Sequence, residues 1–328
     1  MKQSELYKLE IVSKKLGIST KKILDMFYLL RNREIENTQL LKELGVSKNV
    51  INQIKKEFCD WLSPVSSKTS LSEKGRKKIA KLFEPGYFME NDMWGFIKSF
   101  SEFKIVHDFL KTAYPNHVIP NRKLDQFTAT TETIAKRAVL MNFFGDITNK
   151  QALFLGDNDF TSIGFALLQH KEKNLISVLE YDDRIITALN NMSQKNGFHL
   201  QAELYDARNV LPDAHKNRYD VVFIDPPYTP NGINLYLSRA ISSINRNNNS
   251  ARIYLCYGNS DRAKERFIPI YEILAKSGLM IRWVFDKFNQ YDKAESIGST
   301  STLFVCEITP KSKPLLLNKF EDKIYTNE

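Results

Sequence analysis

The sequence predicts an α/β chain in which an N-terminal winged-helix domain precedes a Rossmann-like, doubly wound sheet. Three observations predict it. The first 60 residues carry apolar positions at three- and four-residue spacing, the helical period. From about residue 131 helical patterns alternate with short, wholly apolar runs, which is how βαβ units read. Between the two, Pro85-Gly86 and aromatic, Pro-containing stretches such as YPNHVIP mark a linker and lid region. The expected divisions are 1–84, 85–130 and 131–328.

The elements follow in order. LYKLEIVSKKLGI and KKILDMFYLLR are amphipathic helices. NTQLLKELGVSKNVINQIKKEF holds a helix, a break at Gly45-Val46-Ser47, and a second helix that Ser47 can cap. That is the spacing of a helix-turn-helix, with Val46 filling the angle between the helices. WLSPVSSKTSLSEKGRKKIAKLF adds a short extended pair with a Ser/Pro/Lys tip, then a basic helix, as a wing would require. Beyond the linker, TETIAKRAVLMNFF is helical, QALFLGD a strand, TSIGFALLQH a helix and NLISVLEYD a strand. DRIITALNNMSQKNG is a helix, and HLQAELYDA, YDVVFIDPPY and ARIYLCYG are strands, with a helix over about 232–244. LMIRWVFDKFN and STLFVCEIT suit an antiparallel closing hairpin.

Composition narrows the function. Of 328 residues, 42% are hydrophobic and 26% charged, an ordinary globular balance that disfavours a disordered or fibrous chain. The three cysteines, Cys59, Cys256 and Cys306, are far apart, so neither a disulfide framework nor a zinc site is expected and a reducing cytoplasm fits. No apolar run nears the ~20 residues of a membrane span, and MKQSELYKLE is not a signal sequence, so a soluble cytoplasmic protein is expected. The net charge of +9 is uneven: residues 1–90 hold 18 Lys and Arg against 11 Asp and Glu. That excess suits either nucleic acid docking on the N-terminal module or a solvated helical surface. His107, His117, His170, His199 and His215 have no ligand-like spacing.

In an open α/β sheet the ligand sits at the carboxyl ends of the strands, where the strand order reverses. Here every such end carries an acid: Gly156-Asp157-Asn158-Asp159, Glu180-Tyr181-Asp182, Asp206, and Asp225-Pro226-Pro227-Tyr228. An acid some 20 residues past the first turn suits a ribose, and Glu180 holds that place; Asp206 suits an adenine amino group. The set is similar to the nucleoside site of proteins that bind S-adenosylmethionine or its relatives. A dinucleotide is disfavoured, because no G-x-G-x-x-G follows the first strand and two carboxylates stand where a pyrophosphate needs amides. Asp225-Pro226-Pro227-Tyr228 offers a carboxylate and a rigid proline carbonyl to an amine that attacks a sulfonium carbon, with Tyr228 as a flat wall or cation–π partner.

The segments LDQFTATTETIAKRAVLMNFFGDITNKQALFLGDNDFTSIGFAL, VLEYDDR and FIDPPYTPNGINLYLSRAI resemble the branched-chain polyamine synthases, the bis(aminopropyl)spermidine synthases, over roughly residues 80–315. The resemblance implies a class I methyltransferase-type Rossmann domain behind a winged helix. It implies a transferase that moves aminopropyl from decarboxylated S-adenosylmethionine to the internal secondary amine of spermidine and releases methylthioadenosine. It also implies a homodimer. The family's acidic Gly-Asp-Asp-Asp signature falls on residues 156–159, where the middle Asp is Asn158.

The chemistry assigns expected roles. A spermidine amine is largely protonated at neutral pH, so a carboxylate must take or position its proton while others hold the terminal ammonium groups. Asp159 is expected as general base or amine anchor, and Asp225 with Pro226 to position the attacking amine. Gly156, Asp157, Glu180, Asp182 and Asp206 are expected at the nucleoside end, and Asp125, Gln126, Asn158 and Pro227 around the polyamine. Ser238-Arg239 are expected to support the Asp-Pro-Pro-Tyr loop. Two other readings stand beside this one: an S-adenosylmethionine-dependent amino-methyltransferase acting on DNA or RNA, and a DNA-binding regulator with a ligand-sensing Rossmann part.

Overall fold

The structure is a computed structural model that describes residues 2–63, 67–80, 82–83, 87–89, 92, 94–113, 118–169, 174–258, 264–292, 294 and 299–326. Pro85-Gly86, the wing tip at 64–66, His117 and His170 lie outside the described residues. The chain forms two compact units: Met1–Phe96 with Asn259–Lys264 and Asp292–Thr300, and Ile97–Gly258 with Glu265–Tyr291 and Ser301–Glu328.

The first unit contains α1 (Lys2–Leu16), α2 (Thr20–Leu30), β1 (Ile35–Glu36), α3 (Asn37–Leu44), α4 (Lys48–Glu57), β2 (Lys68–Thr69) and α5 (Glu73–Ile79). Gly45 ends α3 at φ 60°, where its N–H reaches the carbonyls of Leu41 and Lys42, and buried Val46 fills the turn into α4. Ser47 occupies the N-cap position of α4 but makes no capping hydrogen bond, contrary to expectation; Ser19 and Ser72 do cap α2 and α5. β1 pairs antiparallel with β2, and Leu62 bridges Leu71. Phe27, Phe58 and Trp61 meet at ring-centroid distances of 5.0–5.2 Å in the core of this unit.

The second unit contains α6 (Ser101–Ala113), β3 (Thr128–Ala129), α7 (Thr131–Phe143), β4 (Ala152–Leu155), α8 (Thr161–Leu168), β5 (Ile176–Glu180), α9 (Asp183–Asn196), β6 (Leu200–Leu204), β7 (Val221–Ile224), α10 (Pro230–Ser243), β8 (Arg252–Gly258) and α11 (Ile268–Lys276). β9 (Met280–Asp292) and β10 (Thr300–Glu307) follow. They complete a sheet of order β3-β9-β10-β8-β7-β4-β5-β6, parallel from β8 through β6, with β10 antiparallel to β8. β4, β5 and β7 are buried throughout, which is why β4 and β7 read as unbroken apolar runs, while β5 also buries Ser177 and Glu180. The order reverses between β5 and β7 around β4, so their carboxyl ends open the crevice that such sheets use for ligands. α6 falls within the stretch read as linker and packs with α7 and α8. Ser238 and Arg239 hold residues 315–318 through Leu315, Leu316, Leu317 and Asn318 backbone groups, rather than the Asp-Pro-Pro-Tyr loop assigned to them from sequence.

Candidate active site

Leu155 is the last residue of β4, and Gly156 turns the chain at φ 71°. Tyr236 of α10 packs beside this turn, its ring carbon 3.6 Å from where a Cβ would stand. Against this turn opens a solvent-connected cavity. Its wall carries three carboxylates, Asp125, Glu180 and Asp225, and three tyrosines, Tyr181, Tyr236 and Tyr325. Leu124, Gln126, Asn158, Gly156 and Pro227 complete it. Among the described residues no Lys or Arg stands in that wall.

The three wall acids are held in different ways. Glu180 is 5% exposed, and its carboxylate accepts from three backbone amides: Asp157 at 2.8 Å, Tyr181 at 2.8 Å and Asp182 at 2.9 Å. Burial nevertheless pushes its pKa up, outweighing those amides. Asp125, at φ 52°, accepts from the backbone and hydroxyl of Thr326 at 2.6 and 2.8 Å. Asp225 accepts from Tyr228 at Oδ1 (2.9 Å) and from Tyr291 (2.8 Å) and Arg137 (3.0 Å) at Oδ2. Burial raises its pKa; the Arg137 guanidinium opposes that and the Asp159 carboxylate adds to it.

The remaining acids named from sequence turn inward. Asp157, 1% exposed, accepts from the backbone N–H and hydroxyl of Ser162 in the first turn of α8. Asp182 caps α9, accepts from Arg184 at 2.6 Å and from Gln126 at 3.2 Å. Asp206 accepts from the backbone and guanidinium of Arg208. None of these three lies in the cavity wall; donors two to five residues onward use their oxygens in this ligand-free structure. Asp159 is 2% exposed and also outside the wall; it pairs with Arg137 at 2.6 Å and accepts from Thr161 at 2.8 Å. In this ligand-free arrangement the Asp159 carboxylate faces Arg137 and Thr161, and the expected part of Asp159 as base or amine anchor is a matter for substitution experiments. Pro226 is buried, and the Tyr228 hydroxyl donates to Asp225. Asn158 and Gln126 do face the cavity; Asn158 donates to the Phe127 carbonyl at 2.9 Å.

Sequence reasoning missed Arg137, Tyr236, Tyr291 and Tyr325. Arg137 had a signal: with Lys136 it is one of two charges in the run IAKRAVLM, whose other residues are apolar, and the structure leaves it 1% exposed. The tyrosines had none, because β9, α10 and the C-terminal segment supply them from far along the chain. Among the described residues no histidine stands in the wall, and His215 bonds Tyr219 at 2.6 Å. Among the described residues no cluster of three or more His, Cys, Asp or Glu side chains suits a metal ion, and no helix is long and apolar enough to cross a membrane. In the first unit, Lys8 and Lys74 pair with Asp60, Lys15 with Glu57, Arg33 with Glu43 and Lys78 with Glu5.

Comparison with known proteins bears on this site. An uncharacterized protein of Methanocaldococcus jannaschii is 36% identical over 203 residues, 62% of this chain and 49% of its own length. The N(4)-bis(aminopropyl)spermidine synthase of the same organism is 32% identical over 135 residues, 41% of this chain and 38% of its own length. The chain thus matches about half or less of those relatives. A Thermus thermophilus branched-chain polyamine synthase mutein, solved with N4-aminopropylspermidine and 5′-methylthioadenosine, superimposes with a TM-score of 0.67 over 99% of this chain and 97% of that one. At 18% identity that likeness establishes the fold. The model of the branched-chain polyamine synthase A C-terminal domain matches residues 105–326, a stretch that includes every residue of the cavity wall, and the chain belongs to that family.

Proposed function

We propose that the chain is an aminopropyltransferase that moves the aminopropyl group of decarboxylated S-adenosylmethionine to the internal secondary amine of spermidine, making branched polyamines and releasing methylthioadenosine. One observation carries this reading: a strand-end cavity walled by Asp125, Glu180 and Asp225 with no cationic side chain in the wall among the described residues. Polyamine and sulfonium donor are both polycations, and a nucleic acid phosphate would be repelled from the same wall. The match of residues 105–326 to a polyamine synthase family supports it, as do the relatives' names and the ligands of the Thermus structure.

Asp225 takes the proton in this reading. Its carboxylate removes a proton from the spermidine secondary ammonium. The freed nitrogen lone pair attacks the terminal methylene on the sulfonium, the carbon–sulfur bond breaks, and its electron pair stays on sulfur as methylthioadenosine leaves. The new tertiary nitrogen keeps its remaining proton, and Asp225 returns its own to solvent. Glu180 meets the ribose of the donor, while Asp125, Gln126 and Asn158 face the polyamine. We also read residues 1–84 as a winged-helix domain, supported by the order α2-β1-α3-α4 followed by the Leu62–Leu71 and β1–β2 pairings. The ion pairs of the first unit support a solvated basic surface over a nucleic acid site. A homodimer rests on family resemblance and is tested by sedimentation.

Incubation with spermidine and either sulfonium donor decides the reaction. Methylthioadenosine and a branched product from the decarboxylated donor are expected. S-adenosylhomocysteine formed from S-adenosylmethionine with a nucleic acid acceptor would replace this reading by the methyltransferase one.

A further inference from the structure

Arg137 is the one guanidinium that touches the Asp225 carboxylate among the described residues, and it does not touch the cavity. It sits in α7, its side chain fully buried, and all of its donor nitrogens are engaged. Nη1 donates to Asp159 Oδ2 at 2.6 Å and Thr161 at 2.9 Å; Nη2 donates to Asp225 Oδ2 at 3.0 Å and Tyr291 at 3.0 Å; Nε donates to Asn289 at 2.8 Å. A fork of fixed geometry thus grips two carboxylates that would otherwise repel each other in a dry interior. The consequence for Asp225 is directional. Arg137 and Tyr291 together fill the two lone-pair positions of Oδ2, whereas Oδ1 accepts only from Tyr228 among the described hydrogen bonds.

We infer that Arg137 is the positioning residue of the transfer: by holding Asp159 and Asp225 on one guanidinium it turns Asp225 Oδ1 toward the incoming amine, and Asp159 bears on Asp225 through that guanidinium. This rests on the proposed function. It assigns Asp159 a part its burial allows. A carboxylate beside the same guanidinium dilutes the cation's pull on Asp225, so Asp225 keeps enough affinity for a proton to take one from an ammonium. The groups facing Asp225 from the elements around it are Arg137 of α7, Asp159 after β4, Tyr228 in its own loop, Cys256 of β8 and Tyr291 of β9. Cys256 is itself held neutral by burial, and burial raises both tyrosine hydroxyls well above their usual range. Arg137 and Asp159 are therefore the charges that decide the acid limb of the rate profile.

The test uses the full chain with three variants. Asp159→Asn keeps the shape and an acceptor oxygen for Arg137 while removing a negative charge, so the acid limb of kcat/KM moves to lower pH. Arg137→Gln removes the cation and moves the limb to higher pH. Arg137→Lys keeps the charge without the fork; its limb stays near the wild-type position while kcat falls about 10²-fold, the cost of roughly 1 Å of misplacement, with little change in the KM for spermidine. Opposite shifts from two neighbours are not produced by general damage to the fold. Carbon-13 NMR titration of the Asp225 carboxyl, assigned with Asp225→Asn, reads the same shifts without turnover. If the wild type releases no methylthioadenosine, the proposed function fails while the titration still decides the clamp. An Asp225 titration that is the same in Asp159→Asn as in the wild type, or that moves upward there, overturns the inference, as does an Arg137→Lys enzyme of wild-type kcat. Should Arg137→Gln not fold, Asp159→Asn and Arg137→Lys carry the decision.

Discussion

Gly258, the last residue of β8, keeps open the space that Tyr228 fills. A Cβ on Gly258 would stand 2.4 Å from Tyr228 Cδ2 and 2.7 Å from Cε2, distances no real side chain tolerates. In a Gly258→Ala variant the ring must retreat by about 1 Å to regain the 3.4 Å of an ordinary contact. The Tyr228 hydroxyl lies 2.9 Å from Asp225 Oδ1 and 2.9 Å from Tyr291, so a retreat of that size takes it out of hydrogen-bond range of at least one. A hydrogen bond to a charged acceptor contributes about 1.5–3 kcal/mol. If it matters fully in the transition state, kcat/KM falls about 10–100-fold, at about 1.4 kcal/mol for each factor of ten. Overpacking costs a further ~1–3 kcal/mol of stability, which lowers the melting temperature without unfolding the chain at 25 °C. Methylthioadenosine release, followed by chromatography, measures the rate. Tyr228→Phe should lose a similar factor, and the double variant little more than either single one, because both remove the same hydrogen bond. Wild-type kcat/KM in Gly258→Ala, or losses that multiply in the double variant, would refute a role for Tyr228 in holding Asp225.

Other expectations follow from the same geometry. Asp225→Asn keeps the size but cannot take a proton, so turnover falls ~10²–10⁴-fold and recovers in part as pH rises and more free amine is present; a turnover indifferent to the substitution would return the base to another residue. Glu180→Gln puts an amide among three backbone donors, and the Kd for methylthioadenosine rises about 10-fold by calorimetry; unchanged binding would remove Glu180 from the nucleoside. Asn158→Asp adds a carboxylate to the cavity wall and tightens spermidine by about 1–2 kcal/mol; weaker or equal binding would place Asn158 off the polyamine path. In the first unit a Cβ on Gly75 would meet the Trp61 carbonyl oxygen at 2.0 Å, a backbone atom that cannot step aside. Gly75→Ala is therefore expected to cost about 3 kcal/mol or more, and an unaltered calorimetric transition would contradict the α5–Trp61 packing.

The sequence by itself determined the parallel half of the sheet. Strands buried on both faces are predominantly apolar, and that rule left β4, β5 and β7 readable as ALFL, VL and VVFI cores between helical periods. It also determined where chemistry would collect, because acids at the carboxyl ends of successive strands converge once the strands are parallel. Glu180 and Asp225 were legible on those grounds, and Asn158 as the departure from an acidic run. Which of the acids would face the cavity was decided only by the tertiary structure. Asp157, Asp182 and Asp206 sit in equivalent places along the sequence, yet each turns back to Ser162, Arg184 or Arg208, since a short acid at a strand-to-helix turn can satisfy either a ligand or its own backbone. The tertiary structure alone also joined Arg137 to Asp225 across 88 residues and to Tyr291 across 154. Periodicity reports which face of an element is buried and says nothing of the partner it meets there, so a charge buried by its partners becomes visible only once the sheet has brought those partners together.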